Sequence, residues 1–133
     1  MPPLPGWVLV GLGGFLGSVL RYGVSGLVQR LGPTGGAFPL GTLSVNALGS
    51  FVIGLLGGLA DSRGLFGPGA RLLVFLGLLG GFTTFSSFSF ETLQLLKDGQ
   101  WHLAGLNVAG QLLLGLGAVW LGWGLGRLPG VSA

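Results

Sequence analysis

A chain of 133 residues that is half hydrophobic and only 7% charged, with a mean hydropathy of +0.83, does not build a water-soluble domain, in which about a quarter of the residues carry charge. It has no cysteine, which excludes disulfides, thiolate metal sites and cysteine nucleophiles. Its net charge of +3 comes from six basic and three acidic residues without a basic cluster, so nucleic acid is not a partner and the charges read as flanks of membrane-spanning helices.

The expectation is an all-α integral membrane protein, a single domain over residues 1–133 with four spans at about 7–31, 38–60, 71–97 and 101–127. Each run reaches the ~20 apolar residues that a crossing helix needs. Met1-Pro2-Pro3-Leu4-Pro5 has no basic n-region, and the apolar run from Trp7 is too long for a signal peptide, so that run is expected to stay as a span. Glycine, at 30 residues, far exceeds the ~7% average. Inside a bilayer such an excess reads as close approach between helices, and Gly13-x-x-x-Gly17 in the first span is one such face.

Arg21 also lies well inside the first span. A charge there costs at least about 2.5 kcal/mol. Either it snorkels or is structurally paired, or it attracts an anion or holds Glu91. Gly32-Pro33-Thr34-Gly35-Gly36 is a turn by composition. In the second span Thr42, Asn46 and Ser50 recur at i, i+4 and i+8 and share one helix face. An amide in hydrocarbon must find partners, so Asn46 either glues two helices together or donates to a permeating anion. Asp61 to Arg71 reads as the second loop. The fourth span carries Asn107 and Gln111 as a polar pair, and the single histidine, His102, sits at its boundary.

The third span holds the stretch that sets this chain apart, Gly80-Gly81-Phe82-Thr83-Thr84-Phe85-Ser86-Ser87-Phe88-Ser89-Phe90-Glu91. Two glycines followed by hydroxyls and phenylalanines are wrong for an ordinary spanning helix, and the expectation is a break at Gly80-Gly81. Loose backbone groups at membrane depth survive only inside protein or beside a wet cavity. The alternative is an unbroken helix whose hydroxyls back-bond to the preceding turn.

Basic residues fall almost evenly on the two sides of a four-span arrangement, leaving orientation nearly undetermined. A chain that inserts both ways up can assemble as an antiparallel dimer. The strings Pro39-Leu40-Gly41-Thr42 with Asn46, and Gly80-Gly81-Phe82-Thr83-Thr84-Phe85-Ser86 with Phe88, Ser89 and Glu91, together with Gly13-Gly14-Phe15-Leu16-Gly17-Ser18 and Arg21-Tyr22, give the chain its likeness: it resembles the small Fluc-type fluoride channels of prokaryotes over nearly its whole length. That resemblance implies a dual-topology antiparallel homodimer in the inner (plasma) membrane, with two pathways for fluoride. It implies a structural sodium ion held at the dimer centre by the backbone carbonyls of Gly80 and Thr83. It assigns Asn46, Phe85, Phe88, Thr42 and Ser87 to the fluoride pathway, and leaves Arg21 and Glu91 as structural or electrostatic residues. Where family members carry small hydroxyl residues in the fourth span, this chain offers Asn107 and Gln111.

Other classes fit less well. A proton-coupled exporter needs a membrane-buried carboxylate, and only Glu91, towards the end of the third span, offers one. A purely structural subunit needs no break lined with donors. A serine hydrolase needs a base beside its nucleophile, and His102 at a boundary is a poor one, with no Gly-x-Ser-x-Gly elbow in the chain. The sequence therefore does not read as an enzyme.

Overall fold

The computed structural model describes residues 2–33 and 35–130; Thr34 of the expected first turn and the last residues of the tail lie outside them. Helices account for all the regular structure among these residues: α1 (Gly6–Leu31), α2 (Leu40–Arg63), α3 (residues 68–82), α4 (Phe85–Lys97) and α5 (Trp101–Gly126). With α3 and α4 taken together as Pro68–Lys97, the described residues form four helices long and apolar enough to cross a membrane. It is a multi-pass membrane protein.

The helix ends differ from those that composition suggests. Pro39 precedes α2 as its N-cap residue rather than lying in its first turn. The orphan donors there are met from α1: Gln29 accepts from the Gly41 N–H at 3.0 Å and donates to the Phe38 carbonyl at 3.0 Å. At the other end α2 absorbs Asp61, Ser62 and Arg63 and stops at Gly64, whose left-handed φ of 61° suits a residue without a Cβ. Pro68 then starts α3 at a position where its missing N–H costs nothing. The expected loop from Asp61 to Arg71 thus shrinks to four residues, Gly64 to Phe66 and Gly67.

Two helix pairs dominate the packing, α1 against α3 and α2 against α5. Both use the same device. Gly13 and Gly17 of α1 face Gly77 and Gly81 of α3, so that a Cβ on Gly17 would collide with the Leu78 carbonyl and one on Gly81 would come within 2.7 Å of the Gly14 carbonyl. In the second pair Gly54 and Gly58 face Gly122 and Gly126, again backbone on backbone. Without a hydrophobic driving force between helices in lipid, such close approach supplies the dispersion contacts that hold them. The α3 helix also carries wide-turn, π-helical bonding over Arg71–Leu79, rare at that length.

Between α3 and α4 the helical geometry lapses at two residues. Thr83 (φ −91°, ψ 156°) and Thr84 (φ −151°, ψ 118°) are extended. The lapse therefore falls on the threonines and not on Gly80-Gly81, which remain helical. The reason is local. Gly81 is held against α1, whereas the β-branched threonines accept an extended backbone readily and find replacement partners there.

Candidate functional site

Those partners come chiefly from Asn46. Its Oδ1 accepts from the Thr84 N–H at 2.8 Å, and its Nδ2 donates to the Thr84 carbonyl at 3.0 Å. The side chain thus reads one residue's two backbone groups as a neighbouring strand does, and replaces the helix bonds that Thr84 gave up. Each such bond is worth about 1 kcal/mol net, while an abandoned buried donor or acceptor costs about 1–3 kcal/mol. Thr84 then opens α4 as its N-cap, its hydroxyl accepting from the Ser87 N–H at 3.1 Å and donating to Ser87 Oγ at 3.1 Å.

These substitutions leave specific carbonyls behind. In an α-helix the carbonyl of residue i accepts from the N–H of i+4. The Thr84 N–H goes to Asn46 and the Ser87 N–H to Thr84 Oγ1, so the carbonyls of Gly80 and Thr83 lose their helical donors. The Leu79 carbonyl keeps Thr83, through both its N–H at 3.0 Å and its hydroxyl at 2.9 Å. The Gly81 carbonyl gains a charged donor, Arg21 Nε, at 3.0 Å. Arg21 is therefore paired with backbone, while Glu91 accepts from the Thr42 hydroxyl at 2.7 Å and its other carboxylate oxygen is buried without a partner among the described residues.

A row of amides continues from Asn46 into α5. Asn46 Nδ2 donates a second bond, to Gln111 Oε1 at 3.0 Å; Gln111 Nε2 reaches Asn107 Oδ1 at 3.5 Å; Asn107 Nδ2 donates to Thr92 Oγ1 at 3.0 Å; and Thr92 donates to the Phe88 carbonyl at 2.7 Å. Asn107 is fully buried. The expected polar pair of the fourth span is thus part of a seam that joins α2, α4 and α5.

The site residues divide between two cavities that meet at Thr84. A groove of about 770 Å³ is lined by Arg21, Thr42, Ser87, Glu91 and Thr84. A smaller cavity of about 340 Å³ is lined by Asn46, Gly80, Thr83, Phe85, Phe88 and Gln111. Phe85 and Phe88 meet edge to face, with ring centroids 5.4 Å apart, and Phe85 is 77% exposed. Gly49 makes room for Thr83, since a Cβ on it would collide with the threonine methyl. Sequence reasoning placed Thr42, Asn46 and Ser50 on one face, and the structure splits them: Thr42 lines the groove, Asn46 and Ser50 the smaller cavity. It missed Thr84, whose role lies largely in its backbone, and Thr92, whose role depends on Asn107.

Four apolar spans around a polar seam, with two cavities that each carry polar groups in their walls, define a polytopic membrane protein with a buried polar interior. The chain belongs to the CrcB family: the family described as CrcB-like protein, Camphor Resistance (CrcB), matches residues 8–123. It is 51% identical over 121 residues to a protein of Nitratidesulfovibrio vulgaris named fluoride-specific ion channel FluC, covering 91% of this chain and 96% of that one. Proteins with the same name from Opitutus terrae and Thermus thermophilus are 55% identical over 119 residues and 54% identical over 120, covering 87% and 90% of this chain and 88% and 94% of theirs.

Proposed function

We propose that the protein is a fluoride-selective passive channel through which cytoplasmic fluoride leaves a prokaryotic cell across its inner membrane. The observation that carries this reading is near full-length identity of about half to relatives named fluoride-specific channels. The chemistry of the smaller cavity supports it. Fluoride is small and strongly hydrated, so a pathway must replace its water with several donors yet release it. Asn46 supplies an amide donor, and on the other side of Thr84 Ser87 supplies a hydroxyl; the Thr42 hydroxyl beside it would have to turn from Glu91 to join them. The rings of Phe85 and Phe88 have positive edges that favour an anion and an apolar bulk that excludes water.

The assembly proposed is an antiparallel homodimer of oppositely inserted copies, which would cover the exposed Phe85 ring and close each pathway with a second wall. Reporters fused to the C-terminus should then be found on both sides of the membrane. A structural sodium ion is part of the same reading. The carbonyls of Gly80 and Thr83, left without helical donors, are hard oxygen ligands of the type such cations take. A cation there supplies positive charge that offsets the unpaired dipoles. Replacing sodium with a bulky organic cation should lower the protein's thermal midpoint, and an unchanged midpoint argues against the ion.

The functional test is anion efflux from liposomes short-circuited with valinomycin. Fluoride should leave rapidly while chloride is retained; verified, folded protein that releases no fluoride ends the reading. In the same assay Phe85→Ile and Phe88→Ile should each slow fluoride roughly fivefold, the ratio that a ring contact of ordinary strength represents. Unchanged rates would return both rings to a packing role.

A further inference from the structure

The amide row has one orientation only. The Thr84 N–H fixes Asn46 Oδ1 as acceptor, so the Asn46 group facing Gln111 is Nδ2 and the Gln111 atom facing it must be Oε1. At the far end, Thr92 gives its only proton to the Phe88 carbonyl and accepts from Asn107, which turns Asn107 Oδ1 towards Gln111 Nε2. Of the two Asn46 protons, one is held by the Thr84 carbonyl, and the other is covered by Gln111. Asn46 and Gln111 both line the smaller cavity beside Phe85 and Phe88.

We propose that Gln111 is a displaceable gate: its side-chain carbonyl occupies the Asn46 proton that a permeating anion uses, and the anion must displace it to pass. The proposal rests on the fluoride-channel reading and goes beyond it in naming what sets the strength of ion binding. Gln111 is a neutral acceptor on a flexible stem, and its grip on Asn107, at 3.5 Å, is the longest bond of the row. Asn46 by contrast is anchored twice to the Thr84 backbone, so it is Gln111 that swings when an anion arrives. Competition of this kind weakens binding and speeds release, which conduction demands.

The test is the dependence of initial efflux rate on fluoride concentration, in wild type, Gln111→Met and Gln111→Glu. Methionine keeps the length and removes the acceptor, so the half-saturating fluoride concentration should fall about fivefold, the factor that one ordinary net hydrogen bond represents. At high fluoride the same variant should be slower than wild type, because release has lost its competitor. Glutamate holds the proton through a charge-assisted bond roughly twice as strong, and flux should fall to background in protein that still elutes as a folded species. If Gln111 only glues helices, both variants lose thermal stability and active fraction while the half-saturating concentration stays at the wild-type value, and the gate is overturned. Should Gln111→Met not fold, Gln111→Asn, one methylene too short to reach, carries the same expectation. Wild-type protein that passes no fluoride would defeat the channel reading itself, an outcome distinct from a concentration curve that the variants leave unmoved.

Discussion

Asn46→Asp should reduce fluoride efflux by at least about a hundredfold, and it should do so in protein that still folds. The substitution keeps one of the three contacts of the amide, because a carboxylate oxygen still accepts from the Thr84 N–H. It reverses the other two. Where Nδ2 donated to the Thr84 carbonyl and to Gln111 Oε1, an anionic oxygen now faces two acceptors. Each unpaired acceptor costs about 1–3 kcal/mol, and the new charge adds about 2.5 kcal/mol or more at membrane depth. The sum is about 4.5 kcal/mol at its lower end, and two-thirds of that, felt by an approaching anion, already exceeds the ~2.8 kcal/mol that a hundredfold change represents. Asn46→Leu separates the two roles of the side chain. It removes the anchor of Thr84 without introducing charge, so it should lower thermal stability and leave a residual fluoride leak. Efflux is normalised to the folded fraction measured by size exclusion. Wild-type flux in folded Asn46→Asp would remove Asn46 from the pathway and leave it as a clamp on Thr84 alone.

That clamp also marks the boundary of what the sequence discloses. Asn46 is legible as a residue that must find partners, since an amide among apolar neighbours has no other fate. Its partner is not, because the peptide group of Thr84 has no signature in a string of side chains. The same holds for Arg21, whose partner is the carbonyl of Gly81 and not the carboxylate of Glu91. Apolar length located the spans, because about 20 residues of hydrocarbon thickness is a hard constraint. Their ends were less legible. Charge at Asp61 and Arg63 reads as loop, yet these residues ride the last turn of α2 until Gly64 supplies a left-handed exit. Glycine is the commonest breaker, so Gly80-Gly81 drew the expected break. Packing overrides that propensity, since Gly81 is wedged against the Gly14 carbonyl and the lapse moves two residues on, to threonines that Asn46 can serve.

Gly122→Leu should be the most damaging change outside the site, with the folded protein lost from detergent extracts or its thermal midpoint sharply lowered. A Cβ at Gly122 would collide with the Phe51 carbonyl and lie 2.8 Å from the Leu55 amide nitrogen. Both are rigid helix backbone, which cannot rotate aside as a side chain would. Overpacking of this kind costs about 1–3 kcal/mol even where neighbours can adjust, and here α2 and α5 have to part instead. Parting them strikes the site through Asn46 and Gln111, which sit on those two helices and meet at 3.0 Å. A hydrogen bond weakens steeply beyond that range, so a small separation breaks the amide row before it unfolds the chain. Gly117→Leu is the matched control on the same helix, since a Cβ at Gly117 meets nothing within 4 Å, and its thermal midpoint should stay near wild type. Equal behaviour of the two variants would mean that a partner or lipid crowds Gly117 as well, and that the glycine contacts between α2 and α5 do not set the helix spacing. A large loss confined to Gly122→Leu would tie the excess of glycine in this chain to the position of Asn46, the spacing of two backbones fixing where one amide can reach.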